Sequence, residues 1–262
     1  RPEQTAWLRL TDERFPRLSV SRAASAEQGW LGPMRSVGDA RLAAEAVQQS
    51  VGVRTCTTRL TIAPRANAHA CILKDLGACR APCVLGESSG YDETTEAART
   101  VIQGQVSPVV DVLAREVATR AEHLEYERAG ELRDALSALV DGSIRHTRLQ
   151  ALRACSIVAV RRVDDAWELA SFAAGALVGT ARVESGVWAA AADLRDRWGL
   201  TEVTAPLVEE QELVLRWLEA PGTRLLHVDG VWASPVDGAG RHAHWVAARR
   251  SDRDSRAGSE RR

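Results

Sequence analysis

The fold is read outward from Arg54-Thr55-Cys56 and from the run His69 to Cys83, HACILKDLGACRAPC. Cys56, Cys71, Cys79 and Cys83 are separated by fourteen, seven and three residues, and only Cys155 lies elsewhere. Charged and small polar residues surround the four, with no long apolar run to bury them as plain hydrophobes. One tight loop can gather the last three while Cys56 reaches in from before it. Four converging thiolates are what a tetrahedral zinc ion or an iron–sulfur cluster needs. Two disulfides are the alternative, suited to oxidising compartments. Four unrelated buried thiols fit least, because free cysteines seldom bunch in this way. A metal site is the better reading.

A chain of 262 residues allows one large domain or two to three small modules. Its 45% hydrophobic and 26% charged residues are those of an ordinary globular protein. A net charge of −1 supplies no global attraction to nucleic acid, so any DNA contact must come from local basic patches. The cations are nearly all arginine, Lys74 being the only lysine. Arginine suits bidentate phosphate contacts, although a GC-rich coding bias produces the same skew. Arg54, Arg59, Arg65, Lys74 and Arg80 gather around the cysteine loop. Facing one way they form a phosphate-contact patch; facing apart they are scattered surface charge. No apolar run approaches the ~18 residues of a membrane span. The chain opens Arg-Pro-Glu with no signal-peptide core, which reads as a trimmed product or part of something longer. A cytoplasmic, reducing location suits cysteines acting as metal ligands.

Before the cysteine loop, residues 1–35 read as short alternating strands around Trp7–Leu10 and Arg17–Arg22, with Gly32-Pro33 as a break. Trp7 and Trp30 read as strand-packing residues rather than base-stacking platforms. An Ala-rich helix over 37–50 follows, with Asp39 in its first turn and Gly52 beyond its end. Behind the loop, Tyr91 to Ile102 is helical. Ser107-Pro108 marks a helix start, with the serine as cap. Val110, Leu113, Val117, Ala121 and Leu124 form one apolar stripe, and Ala129, Leu132, Leu136 and Leu139 another. The short joint between them predicts an antiparallel helical hairpin that either docks a partner hairpin or packs on its own chain. Arg145, His146, Arg148 and Arg153 read as the solvated face of a continuing helix.

From Ser156 the period changes to two, predicting a three-stranded meander to Val183 with Asp164-Asp165 and Gly175 at the turns. Helices over 188–198 and 208–218 and a strand over 225–228 complete a small α+β domain. The tail from Arg249 has almost no apolar residues and reads as disordered. The expected division is therefore 1–106 with the cysteine module, the hairpin 107–142, the α+β domain 143–248, and the tail 249–262. Cys155 reads as a small core residue, His69 as a surface residue, and His242 and His244 carry no assigned role.

Three pieces, in order, resemble the bacterial UvrC nucleotide-excision-repair nucleases. FPRLSVSR, GWLGPM and VRTC resemble the stretch that follows their GIY-YIG nuclease domain. ACILKDLGACRAPCVLGES resembles their cysteine-rich module, with Ala70 where proline is usual. LEYERAGELRDALSAL resembles the UVR motif, with Tyr126 in place of phenylalanine and Gly130 in place of alanine. The glycine costs the helix about 1 kcal/mol. Glu212 to Pro235 resembles the end of actinobacterial proteins that fuse a DEDD-type exonuclease to a UvrC-like half. Neither nuclease domain, nor a second nuclease centre with a helix-hairpin-helix pair, is found in this sequence. Asp164, Asp165, Asp193 and Asp196 sit in turn and helix-surface contexts without a two-metal constellation.

The resemblance implies a [4Fe-4S] cluster on Cys56, Cys71, Cys79 and Cys83. Zinc stays open, although the absence of paired CxxC knuckles leans toward iron. It implies docking to a UvrB-like protein through Glu125, Tyr126, Glu127, Leu132, Arg133 and Asp134. Arg54, Arg59, Lys74 and Arg80 are the candidate DNA contacts, on their grouping around the cysteine loop. The expected role is a non-catalytic, DNA- and partner-binding portion of a repair endonuclease. Two alternatives stand beside it: part of an active nuclease with catalytic domains upstream, or a zinc-stabilised interaction module unrelated to DNA.

Overall fold

The computed structural model describes residues 5–22, 29–64, 67–198, 207–233 and 237–249. It is an α+β protein of two compact units, Arg1–His146 with Pro235–Arg262 and Thr147–Ser234. The boundary falls inside one long helix. Arg65 and all of the tail beyond Arg249 lie outside the described residues.

In the first unit, β1 (Ala6–Leu10) is the middle strand of an antiparallel sheet, between β2 (Leu18–Ser21) and β3 (Trp30–Met34). Alternation sends Ala6, Leu8, Leu18 and Leu31 to the buried face. Gly32-Pro33 does not break the chain here but lies within β3, where Pro33 needs to donate nothing on an edge strand. Helix α1 (Val37–Val51) covers the inner face with Ala40, Ala43 and Val47. Ser36 caps it by accepting from Asp39 N at 3.0 Å, and Gly52 ends it at φ 78.

Two one-turn helices, α2 (Ile72–Asp75) and α3 (Pro82–Leu85), carry the cysteine loop. Helices α4 (Tyr91–Ile102), α5 (Ser107–Glu122) and α6 (Tyr126–Arg153) follow. The hairpin joint is tight, with Leu124 at φ 61. Val110, Leu113, Leu132, Leu136 and Leu139 join the same core as β1 and α1, so the base of the hairpin packs on its own chain. Its tip, residues 122–128, is exposed. The basic stretch 143–153 continues α6, but its first part is less solvated than its charge suggests. His146 is buried, and its Nδ1 lies 2.9 Å from Gly32 O.

Residues 237–249 return to the first unit. Ser107 is not the cap of α5 but its first residue, Val106 being the cap; the Ser107 hydroxyl lies 3.0 Å from His242 Nε2. Ser137 donates to Trp245 O at 2.9 Å, and Arg249 pairs with Asp39 at 3.0 Å.

The second unit holds β4 (Ser156–Val163), β5 (Ala166–Ala173) and β6 (Ala176–Val183) as the expected meander, with β7 (Arg224–Asp229) antiparallel to β4, in the order β6-β5-β4-β7. Ile157, Ala159 and Phe172 pack with Val214, Leu215 and Leu218 of α8 (Val208–Leu218). Val158, Val160 and Leu169 pack with Ala191 and Leu194 of α7 (Val187–Asp196). Successive residues of β4 thus serve two cores on opposite faces. Cys155 is buried in the first of these, and burial pushes its thiol pKa up.

Candidate metal centre and binding surfaces

Cys56, Cys71, Cys79 and Cys83 all line one cavity of about 20 Å³, together with Leu73, Lys74 and Pro82. The local chain explains the gathering. Cys71 precedes α2, Cys79 follows the turn closed by Ala78 N and Cys79 N on Leu73 O, and Cys83 lies in α3. Ala81, at φ 51, enters α3 and donates its N–H to Cys79 Sγ at 3.4 Å. All four thiols are free of disulfides; Cys56 and Cys71 are exposed, Cys79 and Cys83 half-buried. Among the described residues no group of three or more His, Cys, Asp or Glu side chains is set to hold a metal ion as placed.

The donor set nevertheless fits a cationic metal group in chemistry. Cys79 titrates above an ordinary thiol, first because burial disfavours its charge and then because Cys56, Cys71 and Cys83 stand near as further negative groups. Arg54 Nη1 and Ala81 N–H both donate to cavity sulfurs, the kind of hydrogen bond that holds and tunes a thiolate ligand. Cys56, Cys71 and Cys83 also face an open cleft of about 480 Å³ walled by Arg59, Asn67 and His69.

Arg54 is the support of this region. It is 1% exposed. Its Nε donates to Phe15 O at 2.7 Å, and its Nη1 donates to Cys56 O at 2.8 Å, Thr58 O at 2.9 Å and Cys56 Sγ at 3.2 Å. Nη2 pairs with Glu13 at 2.8 Å. Its backbone N–H donates to the Tyr91 hydroxyl, which donates onward to Pro16 O at 2.8 Å. Burial pushes the Tyr91 pKa up to about 12, so the phenol stays a donor. Arg54 is thereby removed from the surface patch expected of it: the guanidinium is enclosed and committed, and no phosphate can reach it. Glu13, Phe15, Tyr91 and Arg14, which ties Glu87 at 3.0 Å and Asp92 at 2.7 Å, are supports that sequence reading missed. Their one signal is the charged turn Asp12-Glu13-Arg14 ahead of the buried Phe15.

Arg59, Lys74 and Arg80 are exposed around the loop, with Arg80 paired to Glu93 at 3.1 Å. Glu125, Tyr126 and Glu127 come together at the hairpin tip, where Tyr126 is 67% and Leu124 70% exposed. Arg120 bonds Glu125 at 2.7 Å, which holds that carboxylate's pKa below the usual range. Leu132 is buried in the core instead. Arg133 lies 3.8 Å from Asp134, and Asp134 lies 3.8 Å from Arg249. Asp193 and Asp196 are engaged by Arg197 and Arg195 on the surface of α7. Among the described residues no helix is long and apolar enough to cross a membrane.

The sequence around this site matches a known family. Residues 5–101 match the family described as UvrC/Cho excinuclease, middle domain. A bifunctional exonuclease/endonuclease protein of Mycobacterium tuberculosis is 34% identical over 95% of this chain and 40% of its own length. UvrABC system protein C of Methanosarcina mazei is 30% identical over 51% of this chain and 24% of its own, and that of Pseudomonas fluorescens 32% over 50% and 21%. No solved structure matches. The chain is UvrC-like, and it spans well under half the length of these relatives.

Proposed function

We propose that the chain is the DNA- and partner-binding portion of a UvrC-like excision-repair endonuclease, with Cys56, Cys71, Cys79 and Cys83 holding a [4Fe-4S] cluster. The observation that carries this reading is that all four thiols line one cavity inside the stretch matching the UvrC/Cho middle domain. When bound, the group supplies a cross-link between α2, α3 and the residues after α1, and a site sensitive to oxidation. Arg54 and the Ala81 N–H orient two of the sulfurs. Arg59, Lys74 and Arg80 supply the exposed charges for phosphate contact. Residues 107–142 act as a UVR hairpin toward a UvrB-like protein, with Tyr126 and Leu124 as the apolar part of the tip and Glu125 and Glu127 as its charged part.

The test is iron, sulfide and zinc content, with an absorbance spectrum near ~400 nm, on protein purified without oxygen. The expected result is about four irons and four sulfides per chain, lost when Cys79 and Cys83 become serine. One zinc without colour replaces the cluster by a structural ion, and no metal at all overturns the site. A second reading, part of an active exonuclease/GIY-YIG endonuclease with its catalytic domains upstream, draws on the relative of which this chain matches only 40%. Exonuclease, GIY and YIG motifs in the coding sequence ahead of Arg1 would establish it.

A further inference from the structure

The outer face of the first sheet has a composition that strand packing alone does not require. The pairings Trp7↔Ser21, Arg9↔Ser19 and Arg9↔Trp30 put these five side chains on one face, opposite Leu8, Leu18 and Leu31. All five are partly exposed. The Arg9 guanidinium lies over the Trp30 ring, 4.8 Å from its centre. Arg9 has no ion pair among the described residues, and its buried Nε has no hydrogen-bond acceptor. The five positions include no carboxylate. Glu13, in the neighbouring turn, is engaged by Arg54 and by the Thr11 hydroxyl. A guanidinium fixed by a ring rather than by a counter-ion keeps its charge for a ligand.

We infer that this face is a contact site for single-stranded DNA, with Trp7 and Trp30 as stacking planes for bases and Arg9 as the phosphate contact. Diagonal positions on neighbouring strands are about 7–8 Å apart, within the reach of consecutive bases on an extended strand. Ser19 and Ser21 are small and add little bulk beside the rings. Trp7 lies against Gly32, where an added Cβ would come within 2.9 Å of the indole, so a side chain at this position would collide with the ring. A duplex shields its base faces; a single strand offers both charge and π-faces. The inference rests on the DNA-binding reading above but uses none of the residues of the thiol region.

The experiment is fluorescence anisotropy of a labelled oligothymidylate and of a labelled duplex, titrated with the full 262-residue chain and its variants at several salt concentrations. Trp30→Leu should weaken oligothymidylate binding roughly fivefold or more, since stacking is lost. Arg9→Ala should reduce the slope of log K against log salt by about 0.7, as one phosphate contact goes. Duplex binding should change far less in both. If Trp30→Leu does not fold by circular dichroism, Trp30→Phe with near-normal affinity beside a weakened Arg9→Ala makes the same case. Unchanged oligothymidylate binding in Arg9→Ala and folded Trp30→Leu overturns the inference, as does wild-type protein that ignores single strands. Arg59→Ala with Lys74→Ala tests the other patch separately. Binding lost there but not in the sheet variants sinks this proposal alone; the reverse supports it and sinks that patch.

Discussion

The cysteine loop and the helical hairpin both display apolar side chains to solvent, yet they are held by different means. Ile62, Ile72 and Leu76 stand exposed around the thiols, as Leu124 and Tyr126 do at the hairpin tip. The hairpin can expose its tip because Leu113, Leu132, Leu136 and Leu139 root it in the core. The loop has no such root: α2 buries no residue at all. Its anchors are polar, namely Arg54, Tyr91 and the Arg14 pairs, together with the thiols themselves. A segment that buries little must be ordered by hydrogen bonds, charges or metal. The loop therefore depends on its polar anchors for order, whereas the hairpin is held by the core and needs none at its tip.

The largest expected effect breaks the comparison at the thiols. If the proposed cluster is bound, replacing Cys79 and Cys83 together by serine, or treating the protein with a chelator, should free the cysteine loop while the core around Leu8, Leu136 and Leu139 persists. Hydrogen exchange should show the loop losing protection by orders of magnitude and α6 keeping it. Equal loss in both would mean the two regions fold as one unit.

Next comes Arg54→Met. It removes five interactions and leaves the Glu13 carboxylate, 12% exposed, with Arg17 at 3.8 Å as its one remaining ion pair and the Thr11 hydroxyl as its hydrogen-bond donor. Breaking one side of such a buried pair costs about 3–5 kcal/mol. Arg54→Lys should recover only part of this, because a single ammonium cannot span Phe15, Cys56, Thr58 and Glu13. Denaturant midpoints of the three proteins check it; a loss below about 1 kcal/mol in the methionine variant would deny Arg54 its supporting role.

What could be read beforehand divides along the same line. Periodicity announces α1, α5, α6 and the meander, since each pattern is local to its own element. Cysteine spacing announces the thiol gathering, because few residues separate the four cysteines. The role of Arg54 has no local signal: its partners Phe15 and Glu13 lie about forty positions away, and an arginine beside a cysteine reads equally well as a surface charge. The return of residues 237–249 is hidden for the same reason. Its polar composition conceals that Trp245 and Val246 pack against the core and that Arg249 reaches Asp39.

A smaller effect sharpens the contrast within the hairpin. Leu136→Ala opens a cavity in the core and should cost about 2–5 kcal/mol. Tyr126→Ala, at the exposed tip, should stay within about 0.5 kcal/mol of wild type. If the tip docks a partner hairpin, the tyrosine variant should nonetheless lose binding to a UvrB-type UVR segment; denaturant unfolding reads the stability changes and titration calorimetry the binding. Retained binding by folded Tyr126→Ala would move the docking surface away from the tip.

The smallest effect concerns the clamp between the returning segment and α5. His242 is 8% exposed beside Ser107, and burial, reinforced by Arg241 and His244, holds its pKa below the ordinary value; Asp111 opposes them. A histidine depressed in the folded state binds its proton more readily when unfolded. Below the unfolded pKa of about 6.5 the unfolded chain therefore takes up more protons, and stability falls as pH drops through that value. Above it the imidazole is neutral in both states and the contribution is flat. His242→Gln keeps a side chain able to meet the Ser107 hydroxyl but cannot titrate, so it should reduce the slope of stability between pH 7 and pH 5. An identical slope in the two proteins would show that His242 is not the group whose protonation loosens the segment.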